Sequence, residues 1–304
     1  MPNWKDLLEE VKTASAVGPH DLVRRKYLRD LYSKTGRNTI VYYSGWLQKE
    51  ELQRHGFQGF SLNEGDKNGF MTAIHGLDRE KGLDLILHTP GGSIAATESL
   101  VNYLRSMFGG NIRAFIPQIA MSAGTMLSLA CREVYMGKHS SLGPIDPQVH
   151  GLPAHGIIEE FERAADEIRS DPSRIPLWQP IMANYNPTII GECEKAIAWC
   201  NEIVKEWLLT GMLKNDPNAE RKADQIILEL GDHALTKSHD RHISLERAAN
   251  IGIVVKSLEE DDELQDLVLT VHHACIQTLA STASFKITEN HCGVSFIQSV
   301  APLT

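Results

Sequence analysis

The sequence predicts an α/β protein built on a mostly parallel sheet that is buried on both faces. Three observations carry that expectation. Short apolar, β-branched or aromatic stretches at 39–46, 83–88, 112–116 and 133–137 alternate with helical patterns at 69–80, 93–107 and 122–130. Such alternation builds βαβ units joined by right-handed crossovers. Glycine pairs sit at the joints, Gly91-Gly92 after a strand and Gly109-Gly110 after a helix.

Taken in order, residues 3–36 repeat apolar side chains at helical spacing (Leu7, Leu8, Val11, then Leu22, Val23, Tyr27, Leu28, Leu31). They read as a helical arm packed on the core or on another subunit. "TIVYYSGW" (39–46) is the first strand, and the polar loop 63–69 leads into a helix over 69–80. The strand 83–88 runs into the turn Thr89-Pro90-Gly91-Gly92, followed by a helix over 93–107 that "FGGN" stops. A strand at 112–116, a helix at 122–130, a short strand at 133–137 and a strand-to-turn segment at 140–146 follow. Beyond 151 the pattern is helical. It comprises 156–170, a proline-rich linker (Pro172, Pro176, Pro180, Pro187), a long helix over 188–212, helices over 218–230 and 244–252, and a tail helical from 258 to about 283.

The chain of 304 residues can bury a large core, and its 42% hydrophobic and 23% charged content is that of a soluble globular protein. A net charge of -9 without a dense Lys/Arg tract gives no nucleic-acid footprint. The N-terminal stretch lacks the order of a secretory signal, and the most apolar region, 112–131, is interrupted by Arg113, Pro117 and Gln118. A soluble, cytoplasmic protein is expected, with membrane attachment only through a partner. Five cysteines without a CxxC pair read as reduced thiols.

Two turns carry chemistry. Ser122, in "AMSAGT", has small neighbours that permit a tight strand-to-helix turn with an uncovered hydroxyl, the mechanical need of a nucleophile elbow. A serine at a helix start also serves commonly as an N-cap. Gly91-Gly92 allows the backbone to approach a ligand and aim amides at it, as an oxyanion hole requires. A plain βα turn is the alternative, since neither phosphate-loop pattern is present. A serine nucleophile needs a base. His139, His150, His155, His239 and His242 are candidates, as is Lys195 in "GECEKAIAW" if burial holds it neutral. No metal is expected: His239 and His242 lie in a loop-like "SHDRHIS" with no implied partner ligand.

"TPGGSI", "AMSAGTMLSLA" and "MGKHSSLGPIDPQ", in that order and separation, resemble the Clp/crotonase-fold serine peptidases, and within them the serine dehydrogenase proteinase family related to signal peptide peptidase A. The resemblance covers about 38–256. It implies a Clp/crotonase-like sheet of repeated ββα units with flanking and added terminal helices. The domains expected are an N-terminal helical arm (1–37), the catalytic domain (38–256) and a C-terminal helical extension (257–304). It implies Ser122 as nucleophile and backbone amides of Gly91 or Gly92 and of Ala123 as the oxyanion hole, with no cofactor. In the Clp proteolytic subunit the catalytic histidine lies in a segment similar to "HSSLGPIDP", where its place falls on Ile145. That argues against a Ser-His-Asp triad. In the lysine-dyad relatives the base falls on Lys195, with His139 as the fallback. A peptide or protein substrate, a homo-oligomeric ring or stack, and a membrane-protein or ATPase partner are implied. Acyl-CoA processing on the same fold and a non-catalytic peptide-binding scaffold are the rival functions; the segment after Ser122 offers no Glu for the first.

Overall fold

A computed structural model of the chain describes residues 4–14, 18–232 and 238–300. Residues 15–17, within the expected N-terminal helix, and 301–304 lie outside the described residues. The elements in order are α1 (Trp4–Thr13), α2 (Pro19–Thr35), β1 (Asn38–Ser44), α3 (Glu50–Arg54), α4 (Asp66–Ile74), β2 (Leu83–His88), α5 (Ile94–Phe108), β3 (Ile112–Ile116), β4 (Ile119–Ala120), α6 (Ala123–Leu129), β5 (Glu133–Met136) and β6 (Ser141–Leu142). There follow β7 (Gln148–Val149), β8 (Leu152–Pro153), α7 (Ala154–Ser170), α8 (Ile175–Met182), α9 (Ile189–Thr210), α10 (Ala219–Gly231), α11 (Leu245–Ile251), β9 (Val255–Ser257), α12 (Asp262–Ser281), β10 (Ser284–Asn290) and β11 (Ser295–Ser299).

One seven-stranded sheet organises them in the order β11-β10-β1-β2-β3-β5-β9. The run from β1 to β9 is parallel; β10 and β11 add an antiparallel edge. Alternation along β1 explains the uniformly apolar reading of its sequence. Ile40 and Tyr42 enter one core with α4, α5, α6, α9 and α10, whereas Val41 and Tyr43 enter a second core under α1, α2 and α12.

Two expectations change. The proline-rich linker contains α8, which accommodates Pro176 in its first turn, where the missing N–H costs nothing. Residues 257–300 are more than a helical extension, since β10 inserts beside β1 in the main sheet. "SFKITEN" hid this strand because Lys286, Thr288, Glu289 and Asn290 are polar yet buried. Their charges are paired. Fully buried Glu289 receives Arg24 and, at 2.6 Å, Arg25, which pins α2 to β10. The N-terminal arm thus packs on its own sheet.

His88, the last residue of β2, is enclosed by Trp46, Tyr43 and His272, with ring centroids 4.5, 5.3 and 5.4 Å away. Neither of its ring nitrogens has a partner among the described residues, and burial pushes its pKa down to about 3. His272 is pushed down too, by burial and then by the His88 charge. The unfolded chain therefore binds protons below the ordinary histidine pKa that the folded chain refuses. Stability is fully present at neutral pH and falls as pH drops from about 6.5 towards 3, by up to roughly 1.4 kcal/mol per pH unit for each such group. Urea midpoints are expected to fall between pH 7 and pH 4, and His88→Phe should flatten that dependence. An unchanged slope in the variant would assign the acid sensitivity elsewhere.

Candidate active site

The site lies beyond the carboxyl ends of the central parallel strands, where open α/β sheets place their ligands. β2 delivers Thr89-Pro90-Gly91-Gly92, and β4 delivers Ser122. The two turns are laced together, with the Thr89 N–H donating to Ile119 O at 3.2 Å and the Met121 N–H donating to Thr89 O at 3.1 Å.

Ser122 immediately precedes α6 with φ 50° and ψ -113°, a left-handed conformation that a side chain tolerates only under constraint. Its hydroxyl makes no capping hydrogen bond. The N-cap reading therefore does not describe this serine, whereas Ser93 does cap its helix, accepting from the Ala96 N–H. Ser122 is half-buried and opens into a cleft of about 330 Å³ whose walls include Gly92, Ser122, Met126, Ile145, Asp146, Gln148, Ala196 and Trp199.

Gly91 is glycine for a steric reason. Its φ is 102°, and a Cβ would stand 2.7 Å from Ser122 Cβ and 3.1 Å from the Ala123 nitrogen. The two turns therefore touch. The Leu62 N–H donates to Gly91 O at 2.7 Å, and the Ser93 N–H donates to Leu62 O at 2.9 Å. Leu62 and Gly92 thus form a parallel bridge. In a trans peptide C=O and N–H point oppositely. With Gly91 O turned to Leu62, the Gly92 N–H is turned away from Leu62, and Gly92 is among the residues that line the cleft. The Gly91 N–H is committed elsewhere, to Thr89 Oγ1 at 3.2 Å. Ala123 is the first residue of α6, so its N–H has no acceptor within the helix.

Asp146 is 1% exposed and lines the same cleft as Ser122. Its Oδ1 lies 2.7 Å from His239 Nδ1, and Gln148 Nε2 donates to its Oδ2 at 3.0 Å. A carboxylate only accepts, so Nδ1 carries the proton and Nε2 is left basic. The His239 side chain is 25% exposed. Ile145, the position aligned with the Clp histidine, is a buried wall residue. The carboxylate is the next residue along.

Lys195 and His139, like the His239 ring itself, are not among the residues that line this cleft. Lys195 is on α9, whose Ala196 and Trp199 line the cleft, but Lys195 itself is exposed and its charge acts on Glu192. His139 is exposed, with its ring over Gly137 and its charge acting on Glu259, His272 and His273. That neighbourhood belongs to α12 and the second core. Asp146 went unselected in the sequence, and His239 stood as one histidine among five. "DPQ" after Gly143-Pro144-Ile145 and "SHDRH" (238–242) were the available signals. Among the described residues no group of three or more His, Cys, Asp or Glu side chains could hold a metal ion, and no helix is long and apolar enough to cross a membrane.

A strained serine at a strand-to-helix turn, abutting a glycine turn at the end of a parallel sheet, is the layout of a serine hydrolase. The chain belongs to the family of ClpP-like SDH-type serine proteinases, whose model matches residues 19–272. It is similar to two uncharacterized proteins of Methanocaldococcus jannaschii. One, MJ0137, is 27% identical over 235 residues, which is 77% of this chain and 73% of that protein. The other, MJ1495, is 29% identical over 192 residues, 63% of this chain and 58% of that one. The family match reaches further than the resemblance noted in the sequence and takes in α2 and part of α12.

Proposed function

We propose that the protein is a serine peptidase using Ser122 as nucleophile, His239 as base and Asp146 as the group that orients it. The observation carrying this reading is the 2.7 Å contact between His239 Nδ1 and Asp146, a buried carboxylate in the wall of the Ser122 cleft. His239 Nε2 takes the Ser122 hydroxyl proton as Oγ attacks a peptide carbonyl carbon. The carbonyl oxygen becomes an oxyanion held by the Gly92 and Ala123 N–H groups. The imidazolium then returns its proton to the leaving amine, and water repeats the sequence on the acyl-enzyme. The chain order Ser, Asp, His is also that of α/β-hydrolases.

A fluorophosphonate probe should label the purified protein at Ser122, as mapped by peptide mass spectrometry. Ser122→Ala should be silent, and Lys195→Met should label and hydrolyse peptides like the parent. A dead Lys195→Met variant beside an active His239→Ala variant would return the base to Lys195. Light scattering should show an assembly larger than one chain; a monomer would remove the expected ring or stack.

A further inference from the structure

Strand β10 contributes a residue that takes no part in this chemistry. Lys286 is fully buried with Asp66, each side chain 1% exposed, and the two meet at 3.0 Å. Asp66 Oδ2 also accepts from Tyr42 Oη and from the Asn63 N–H, both at 2.9 Å. Lys286 Nζ gives a second hydrogen bond, to Ser61 O at 3.0 Å. The pair therefore grips the carbonyl just before Leu62 and the amide just after it. Leu62 in turn holds Gly91 O and the Ser93 N–H. A Cβ on Gly92 would lie 2.2 Å from Leu62 O, so the two backbones are in full contact.

We propose that Lys286 and Asp66 are positioning residues that set the direction of the Gly92 N–H by clamping residues 61–63 against the glycine turn. This rests on the serine peptidase reading for its catalytic consequence, but the clamp is a property of the fold alone. The chemistry favours a clamp over a plain core contact. Burying an ion pair is poor value for stability when apolar residues fit the space. Each group makes one hydrogen bond to the same short backbone segment, Lys286 donating to Ser61 O and Asp66 accepting from the Asn63 N–H, while Asp66 Oδ1 has no partner among the described residues. Burial draws the Lys286 pKa down and the Asp66 charge opposes the fall. Oxyanion donors act through fixed direction, and a displaced donor loses most of its effect.

The test compares Lys286→Met/Asp66→Asn, which leaves no lone buried charge, with the parent and with the milder Tyr42→Phe. Two readouts are taken on the full chain: steady-state peptide hydrolysis, and hydrogen exchange of the segments covering residues 61–63 and 89–93. The expected result is a thermal midpoint near the parent's and faster exchange in both segments, with the helix after Ser122 unchanged. The same variant should show kcat lower by about 10²–10³ with KM held, the scale of losing one oxyanion donor. A peptide aldehyde, whose adduct mimics the oxyanion, should lose affinity in step with kcat/KM. Parent-like exchange in both segments, or a folded double variant with parent kcat, overturns the proposal. Faster exchange in a protein whose parent shows no Ser122-dependent hydrolysis would keep the clamp and discard the peptidase reading.

Discussion

His239→Ala is expected to reduce peptide hydrolysis almost as far as Ser122→Ala, by about 10⁴–10⁶ in kcat, with the two losses far from additive when combined. The reason is that the serine is inert without a proton acceptor. Once either partner is gone, removing the other costs little more. Asp146→Asn should lose less than His239→Ala, since it keeps the shape of the pair but permits the wrong imidazole tautomer. The Asp146 contact with His239 and its second contact with Gln148 both favour one orientation of the carboxylate. The measurement is kcat for a chromogenic peptide, with circular dichroism to confirm folding. A His239→Ala enzyme that keeps parent activity would remove the triad from the account.

Gly92→Ala is expected to be the most damaging alanine substitution among the described glycines. Its Cβ would stand 2.2 Å from Leu62 O, 2.4 Å from Leu62 N and 2.8 Å from Leu62 C, all backbone atoms that cannot rotate aside. Relief requires the 61–63 segment and the glycine turn to separate, which breaks the two hydrogen bonds between them. Overpacking of this kind costs about 3 kcal/mol. The same separation frees the Gly92 N–H from its direction, adding a kcat loss of about 10²–10³ in whatever fraction still folds. Gly109→Ala makes the control, because nothing lies within 4 Å of a Cβ there, although its φ of 59° carries a modest penalty. Urea denaturation and kcat measured on both variants decide the matter. Equal losses at the two sites would show that backbone conformation, rather than contact with Leu62, governs the turn.

What could be read from the sequence follows from which constraints are local. Ser122 and the Gly91-Gly92 turn were legible because a nucleophile elbow and a close backbone approach demand small residues at adjacent positions. The parallel strands were legible because burial on both faces leaves uniformly apolar segments. The base proposed here for Ser122 was not legible. Asp146 and His239 are 93 residues apart and meet only in the fold, and Ile145 occupied the position where the Clp pattern places a histidine. Lys195 lay on the right helix, but one step from the cleft-lining Ala196 turns a side chain by about 100°, and alignment alone does not resolve that. Strand β10 escaped for the opposite reason. Its buried charges are satisfied by Arg24, Arg25 and Asp66, and no single-chain pattern announces such distant pairings.

The place of β10 has a consequence for the protein's birth. Its register sets Asn290 beside Ile40, so the ribosome must synthesise almost the whole described chain before β1 gains its second neighbour. Until then β1 offers an open edge, the kind of surface that invites aggregation and the attention of chaperones. With Lys286 not yet in place, the turn that faces Ser122 also lacks its brace. A nascent chain that stops short of β10 should accordingly be prone to aggregate and, on the serine peptidase reading, inactive.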